Sequence, residues 1–236
     1  QKIEKLKKIT APFMLRRLKT NKDIICDLPD KIIIDEYATM SKEQASLYKS
    51  VLDDTMKQMD QKDSKGLIFK LLIALKQICN HPRNFDKASD SNPTLSGKTQ
   101  LLLTLLDSIM LQDEKVLIFT QYTQMADILV EVIEKELFTK PLLLKGDMTK
   151  TQREDVVEKF QSDNRFKIFI LSLKAGGVGL NLTAANHVIH YDLWFNPAVE
   201  NQATDRAFRI GQKKKVTVHR LITKNSFEEK IDKMIK

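Results

Sequence analysis

The apolar positions change period near residue 92. Before that point the period is helical. In KEQASLYKSVLDDTMKQMD (42–60), Leu47, Val51, Leu52 and Met56 fall on one side of a predicted helix. Ser41 and Gln44 have the spacing of a capping box at its start. KGLIFKLLIALKQICNH (65–81) is more apolar and predicts a second helix packed on the first. It ends at HPRN, because Pro82 supplies no backbone donor and clashes with the preceding turn. One strand, KIIIDEY (31–37), precedes both helices.

KASDSNP (87–93) is a polar connector carrying a proline. Beyond it, short apolar strands alternate with helical patterns. The strands are VLIFT (116–120), LLL (142–144), KIFILS (167–172), HVIHY (187–191) and VTVHRLI (216–222). Helical periods cover 97–111, 124–137, 150–161 and 198–208, and a last helix opens at NSFEEKIDKMIK with Ser226 and Glu229 spaced as a capping box. Strands this apolar, separated by helices, predict a parallel sheet covered on both faces. Such a sheet binds ligands at the carboxyl ends of its strands.

Composition narrows the setting. Lys and Arg outnumber Asp and Glu by 39 to 31 in 236 residues, a net charge of +8 that is compatible with a polyanionic partner. The basic start carries Lys2, Lys5, Lys7, Lys8, Arg16, Arg17, Lys19 and Lys22 against Glu4 and Asp23, the kind of segment that holds phosphate backbones by counterion release. Cys26 and Cys79 lie far apart among apolar residues, with neither metal-ligand nor disulfide spacing, and read as buried reduced thiols. The setting is then cytosolic or nuclear. No apolar run reaches the length of a membrane span. The chain opens without Met on a helix-like stretch and reads as a piece of a longer protein.

Three motifs invite chemistry that their contexts do not support. SGKT (96–99) resembles the tail of a phosphate-binding loop, but Asn92 stands where the first glycine belongs and no strand feeds it. Ser96 as a helix cap is the simpler reading. DEYA (35–38) and DEKV (113–116) resemble a Mg²⁺-holding acidic pair, but no phosphate loop lies upstream, and Asp113 and Glu114 precede their strand as a solvated turn. His187 and His190 point to opposite faces of a strand, and His81 and His219 show no partner pattern.

Two constellations remain. A buried strand ends at Ser172 and runs straight into Gly176, Gly177 and Gly179, where backbone amides can approach an anion. In ENQATDRAFRIGQ (200–212), a helix would set Gln202, Arg206 and Arg209 on one side. Two guanidinium forks together suit phosphate oxygens and can stabilise charge in phosphoryl transfer.

The order of the segments is more specific than any one of them. PFMLRRLK…DLPDK (12–31), VLIFTQY (116–122), LKGDMTKTQREDVVEKF (144–160), LSLKAGGVGLNL (171–182), HYDLWFNPAVENQATDRAFRIGQ (190–212) and SFEEKI closely resemble, in this order, the C-terminal half of a Swi/Snf-type motor of helicase superfamily 2. The resemblance implies a RecA-like three-layer α/β domain with a mainly parallel sheet and an N-terminal helical protrusion. Residues 1–30 would be the exit from a missing N-terminal lobe, 31–92 the strand and helical protrusion, and 93–236 the C-terminal lobe. ATP and Mg²⁺ would be held mainly by the N-terminal lobe of the same parent chain. This fragment alone is expected to be inactive, because it has no Walker A or Walker B motif.

By match to the family, Arg206 and Arg209 would be arginine fingers, with Gln202, Gly176, Gly177 and Gly179 supporting the ATP cleft. Thr120, Gln121, Tyr122, Gly146, Arg153, Ser172 and Lys174 would meet the double-stranded DNA backbone, and Trp194 and Phe195 would couple the two sites. The implied function is an ATP-driven translocase on duplex DNA, acting on DNA-bound protein cargo, in the nucleoid or the nucleus and away from membranes. Two departures stand out: Met148 where the family usually has Thr, with a hydroxyl only at Thr149, and Phe195 after Trp194 where Trp commonly precedes Asn-Pro. Two other readings share these residues. One is a basic nucleic-acid-binding module without ATP chemistry. The other is a Rossmann-like enzyme in which Asp192 holds a ribose.

Overall fold

The computed structural model describes residues 29–59, 65–172 and 179–236. In chain order the elements are β1 (Lys31–Ala38), α1 (Lys42–Met59), α2 (Lys65–Asn80), α3 (Pro82–Phe85), α4 (Gly97–Leu111), β2 (Val116–Thr120), α5 (Thr123–Leu137) and β3 (Leu142–Leu144). There follow α6 (Lys150–Ser162), β4 (Ile168–Ser172), β5 (His187–His190), α7 (Pro197–Thr204), β6 (Val216–Thr223) and α8 (Phe227–Ile235). The sheet runs β1-β6-β5-β2-β4-β3 with every neighbouring pair parallel. This is the parallel sheet that the alternation of strands and helices predicts, in the RecA-like α/β architecture that the resemblance implies.

The period of two in β2 sorts the core into two layers. Val116 and Ile118 join a cluster built with α4 and α5, while Leu117 and Phe119 join one that includes Phe160 of α6, Leu182 and Phe208. Strand β1 pairs with β6 over its whole length, so the sheet takes in residues 31–38. The sequence boundary at residue 93 therefore cuts one strand off the sheet it belongs to. A lone apolar strand gives no sign of its partner when the partner lies 185 positions later, as Lys31 does from Val216.

The helix between residues 42 and 59 starts as its sequence dictates: the Gln44 amide donates to Ser41 Oγ at 3.0 Å and Gln44 Oε1 accepts from Ser41 N at 3.3 Å. Met56, grouped with the apolar side in sequence, is exposed, as are Ile68, Phe69, Leu72 and Ile73 of α2. At α8 the predicted box is displaced by one residue. Ser226 Oγ accepts from Glu228 N, and the Glu229 carboxylate accepts from Asn225 N at 2.8 Å, because Asn225 turns through φ 55° and aims its own N–H at the helix. Among the described residues no helix is long and apolar enough to cross a membrane. Cys79 is a buried free thiol, and burial pushes its pKa up. Cys26 lies outside the described residues.

The SGKT segment is structural throughout. Ser96 caps α4 by accepting from Thr99 N. A Cβ on Gly97 would lie 1.8 Å from the Thr39 carbonyl oxygen, so this glycine serves a backbone crossing. Lys98 is buried and reaches both Glu228 oxygens, at 3.0 and 2.8 Å, and Asn80 Oδ1 at 3.3 Å. These three acceptors match its three donors. Glu228 also accepts from the Thr223 amide, so the pair welds the start of α4 to the start of α8.

Breaking this pair from one side leaves a buried charge unpaired. Lys98→Met is expected to lower unfolding stability by about 3–5 kcal/mol. Lys98→Met/Glu228→Leu should recover most of that loss. Urea unfolding of the two variants checks both; equal stabilities would contradict the buried-pair account.

Candidate functional site

The parallel register brings four strand ends level. Thr120 stands opposite Ser172, Phe119 opposite His190, and Leu144 opposite Leu171. The sequence-selected residues Thr120–Tyr122, Gly146, Ser172 and Trp194–Phe195 therefore leave the same carboxyl edge of the sheet, from β2, β3, β4 and β5. Lys174, Gly176 and Gly177 lie outside the described residues. Ser172 is buried, and its hydroxyl has no partner among the described residues.

Arg206 and Arg209 do not sit on the helix expected over 198–208. Helix α7 ends at Thr204, and both arginines lie in the turns that follow. The carbonyls that would extend the helix are committed elsewhere. That of Arg206 accepts from Leu182 N at 3.0 Å and that of Arg209 from Gln212 N at 2.9 Å. Arg206 N and Ala207 N bond three residues back instead of four. Gly211 closes the segment at φ 100°, a conformation that favours glycine.

Even so, the two guanidiniums converge. A Cβ built on Gly179 would lie 3.9 Å from Arg209 Nη1 and 4.0 Å from Arg206 Nη1. Arg209 Nη1 donates to the Gly179 carbonyl at 3.0 Å and, longer, to that of Leu180 at 3.4 Å. Arg209 is exposed and Arg206 buried. Burial first, and then the charge of Arg209, push the Arg206 pKa below its ordinary value. Two like charges at the end of a glycine loop form a surface that an anion would relieve. Gln202 is exposed on α7.

Gln212, which the sequence reading left without a role, holds this arrangement. Its buried side-chain amide donates to the carbonyls of Thr183, Ala185 and Ala207 at 3.1, 2.8 and 3.2 Å. It thus fastens the loop after Gly179 to the arginine turns. Its place as the last residue of the 200–212 motif was the available signal.

The turn after β2 is fixed by Asp192. This carboxylate is fully buried and accepts from Asn80, Thr120 and Gln121. No lone pair is left for a sugar, which removes the ribose role proposed for it in a Rossmann-like enzyme. Thr120 is buried and its hydroxyl donates to Asp192; Gln121 spends its side-chain amide on Asp192 and the Leu193 carbonyl. Tyr122 is half-buried against the core, and burial pushes its hydroxyl pKa up. What this turn offers outward is the start of α5, whose N-cap residue Tyr122 makes no side-chain cap bond. First-turn amides of such a helix face outward without intrahelical partners.

Next to it, Arg153 donates to the carbonyls of Gly146 and Met148 at 2.7 and 3.0 Å, so two sequence-selected positions form one unit. Met148 packs against the core, and Thr149 caps α6 through a full capping box with Gln152. Phe195 adopts φ 53°, lies under the Lys76 ammonium at 4.5 Å and meets the Phe227 ring edge-on. The Trp194 amide donates to Glu200, which also accepts from Arg220.

The acidic pairs are bonded by side chains of the chain itself. Asp35 bonds Arg220 and Lys236, and Glu36 bonds His219. Glu114 is half-buried, not solvated as the sequence suggests, and accepts from His187 at 2.6 Å. His187, paired in sequence only with His190, and His219, which shows no partner pattern there, stack on neighbouring strands with ring nitrogens 3.3 Å apart. A cavity of about 260 Å³ lies beside Arg220, lined by Ile33, His190, Thr204 and Ile235 among others, and neither Arg206 nor Arg209 lines it.

Residues 97–211 match the family described as Helicase conserved C-terminal domain, and residues 1–84 match the SNF2-related domain. The chain is 46% identical to the putative ATP-dependent helicase/translocase YwqA of Bacillus subtilis, over 100% of this chain and 26% of that protein. It superposes on a Sulfolobus solfataricus SWI2/SNF2 ATPase C-terminal domain with TM-score 0.76 and 38% identity, over 87% of this chain and 85% of that one. Against the Sulfolobus solfataricus SWI2/SNF2 ATPase core in complex with dsDNA the TM-score is 0.80 at 42% identity, over 98% of this chain and 49% of that one. The chain spans about a quarter of the length of the curated relatives it matches.

His190 joins the sheet to α7, through Nε2 and the Thr204 hydroxyl at 3.0 Å. Burial first, then the charges of Arg220 and Lys31, push its pKa down to about 3. The folded state therefore keeps it neutral while the unfolded chain takes up a proton near pH 6.5. Its contribution is complete above that pH and is lost as pH falls toward 3. Urea titrations are expected to show this one proton weakening the fold by about 1.4 kcal/mol per pH unit between roughly pH 6 and pH 4. His190→Gln should reduce the slope by that amount; an unchanged slope would assign the acid sensitivity elsewhere.

Proposed function

Since this chain belongs to the SWI2/SNF2 ATPase family and forms its RecA-like C-terminal lobe, we propose that it is one half of an ATP-driven translocase on double-stranded DNA. It supplies the arginine fingers and part of the DNA track. The observation that carries this reading is the convergence of Arg206 and Arg209 on Gly179 at the carboxyl edge of the sheet.

The donors gathered there are guanidiniums, which fit phosphate oxygens. They do not fit a cation, and among the described residues no group of three or more His, Cys, Asp or Glu side chains could hold a metal. Asp35 and Glu36 are committed to ion pairs. We therefore assign Mg²⁺, and the cradle for the nucleotide, to the N-terminal lobe of the parent chain. ATP brings the β- and γ-phosphate charge that the arginines lack.

In this reading Arg209 exchanges the Gly179 carbonyl for phosphate oxygen when the lobes close, and the mutual repulsion with Arg206 is relieved. Gln212 keeps both arginines on one rigid turn during that exchange. On the same edge, the α5 N-terminus and the Arg153–Gly146 unit grip DNA phosphates without reading bases, and Lys174 is assigned to that grip by its match to the family. Thr120 and Gln121 serve this grip from the inside. DNA-bound protein is the cargo such a motor displaces.

The test is DNA-stimulated ATP hydrolysis by this chain alone, by the two-lobed protein, and by the two-lobed protein with Arg209→Ala. Turnover is expected only with both lobes present. Arg209→Ala should lower it by roughly 10³-fold or more. A loss of no more than a few-fold would end the finger assignment, and a two-lobed protein that binds DNA without hydrolysing ATP would favour a binding module.

A further inference from the structure

Asp192 does more than fill the core. Its Oδ1 accepts from Gln121 N at 3.0 Å and from Gln121 Nε2 at 2.8 Å. Its Oδ2 accepts from Thr120 Oγ1 at 2.5 Å, from Asn80 Nδ2 at 3.2 Å and from Gln121 N at 3.2 Å. Both oxygens face donors only, a demand that a carboxylate meets and a carboxamide does not. On the far side, Asn80 Oδ1 accepts from Lys98, whose ammonium bonds Glu228. In the forward direction, Gln121 Nε2 also donates to the Leu193 carbonyl, one residue before Trp194 bonds Glu200 of α7, the helix that leads into the arginine turns.

We propose that Asp192 is the positioning residue of the DNA-contacting turn, locking residues 120–121 to the 192–200 segment so that the α5 N-terminus and the arginine turns move as one body. This rests on the function proposed above. A phosphate held at α5 then depends on a side chain that touches neither DNA nor nucleotide. Its loss should weaken the response to DNA more than it weakens chemistry.

The experiment titrates ATP hydrolysis by the two-lobed protein with duplex DNA, for Asp192→Asn, Thr120→Val/Gln121→Ala and the triple variant. Asp192→Asn opposes an amide either to Gln121 Nε2 or to the Asn80 and Thr120 donors. The duplex concentration for half-maximal turnover is expected to rise about tenfold or more, with kcat at saturating duplex within about threefold. In the Thr120→Val/Gln121→Ala background the same substitution should add less than it does alone, since of the turn's donors to Asp192 only the Gln121 backbone N–H remains. An undiminished effect in that background, an unshifted titration, or a parallel fall of kcat and melting temperature would overturn the proposal.

Gln121→Glu decides the matter if Asp192→Asn does not fold. It keeps the Asn80, Thr120 and Gln121 backbone bonds to Asp192, removes the side-chain donors of Gln121 and sets a second carboxylate against Asp192, and should shift the DNA titration in the same direction. No shift would overturn the proposal. If Arg209→Ala abolishes turnover while none of these variants moves the titration, only the positioning role falls. If Arg209→Ala also leaves turnover intact, the motor reading falls with it.

Discussion

Much of this lobe hangs on one buried polar chain: Glu228, Lys98, Asn80, Asp192, and the turn at Thr120 and Gln121. Charges taken out of water are costly unless each is paired and each lone pair filled. Here they are. The chain joins the start of α8, the start of α4, the end of α2, the exit of β5 and the exit of β2. Five elements remote in sequence must meet in one geometry, or several buried groups lose partners at once. Apolar packing alone would tolerate small displacements of these elements; a donor-for-acceptor network of this kind does not.

The edge above this chain inherits its rigidity. Level strand ends place the site loops side by side, and Gln212 and Gly211 shape the arginine turns against Gly179. The charge of Arg209 disfavours that of Arg206 there. The chain covers 49% of the SWI2/SNF2 ATPase core that was solved in complex with dsDNA.

The near-motifs show how residue type misleads when burial is unknown. Lys98 in SGKT looks like a phosphate ligand and is an internal counter-ion. Asp35 and Glu36 look like metal ligands and bind Arg220, Lys236 and His219. Asp192 looks like a ribose ligand and braces a turn. In each case the chemistry of the side chain was read correctly and its partner was not, because the partner comes from a distant part of the chain.

Local signals carried most of the elements. Apolar period, Ser96 and Ser41 as caps, and Pro82 as a stop each act within a few residues, so strands β2 and β3 and helix α4 fall where the sequence puts them. Segment order likewise carried the family. Tertiary structure alone decided the place of β1 in the sheet, the pairing of His187 with His219, the end of α7 before the arginines, and the roles of Asp192 and Gln212. Helix α7 has the local period to continue; beyond Thr204 the Arg206 carbonyl accepts instead from Leu182 N. Such competition between local and distant hydrogen bonds has no trace in a window of sequence, because half of every such bond lies outside the window.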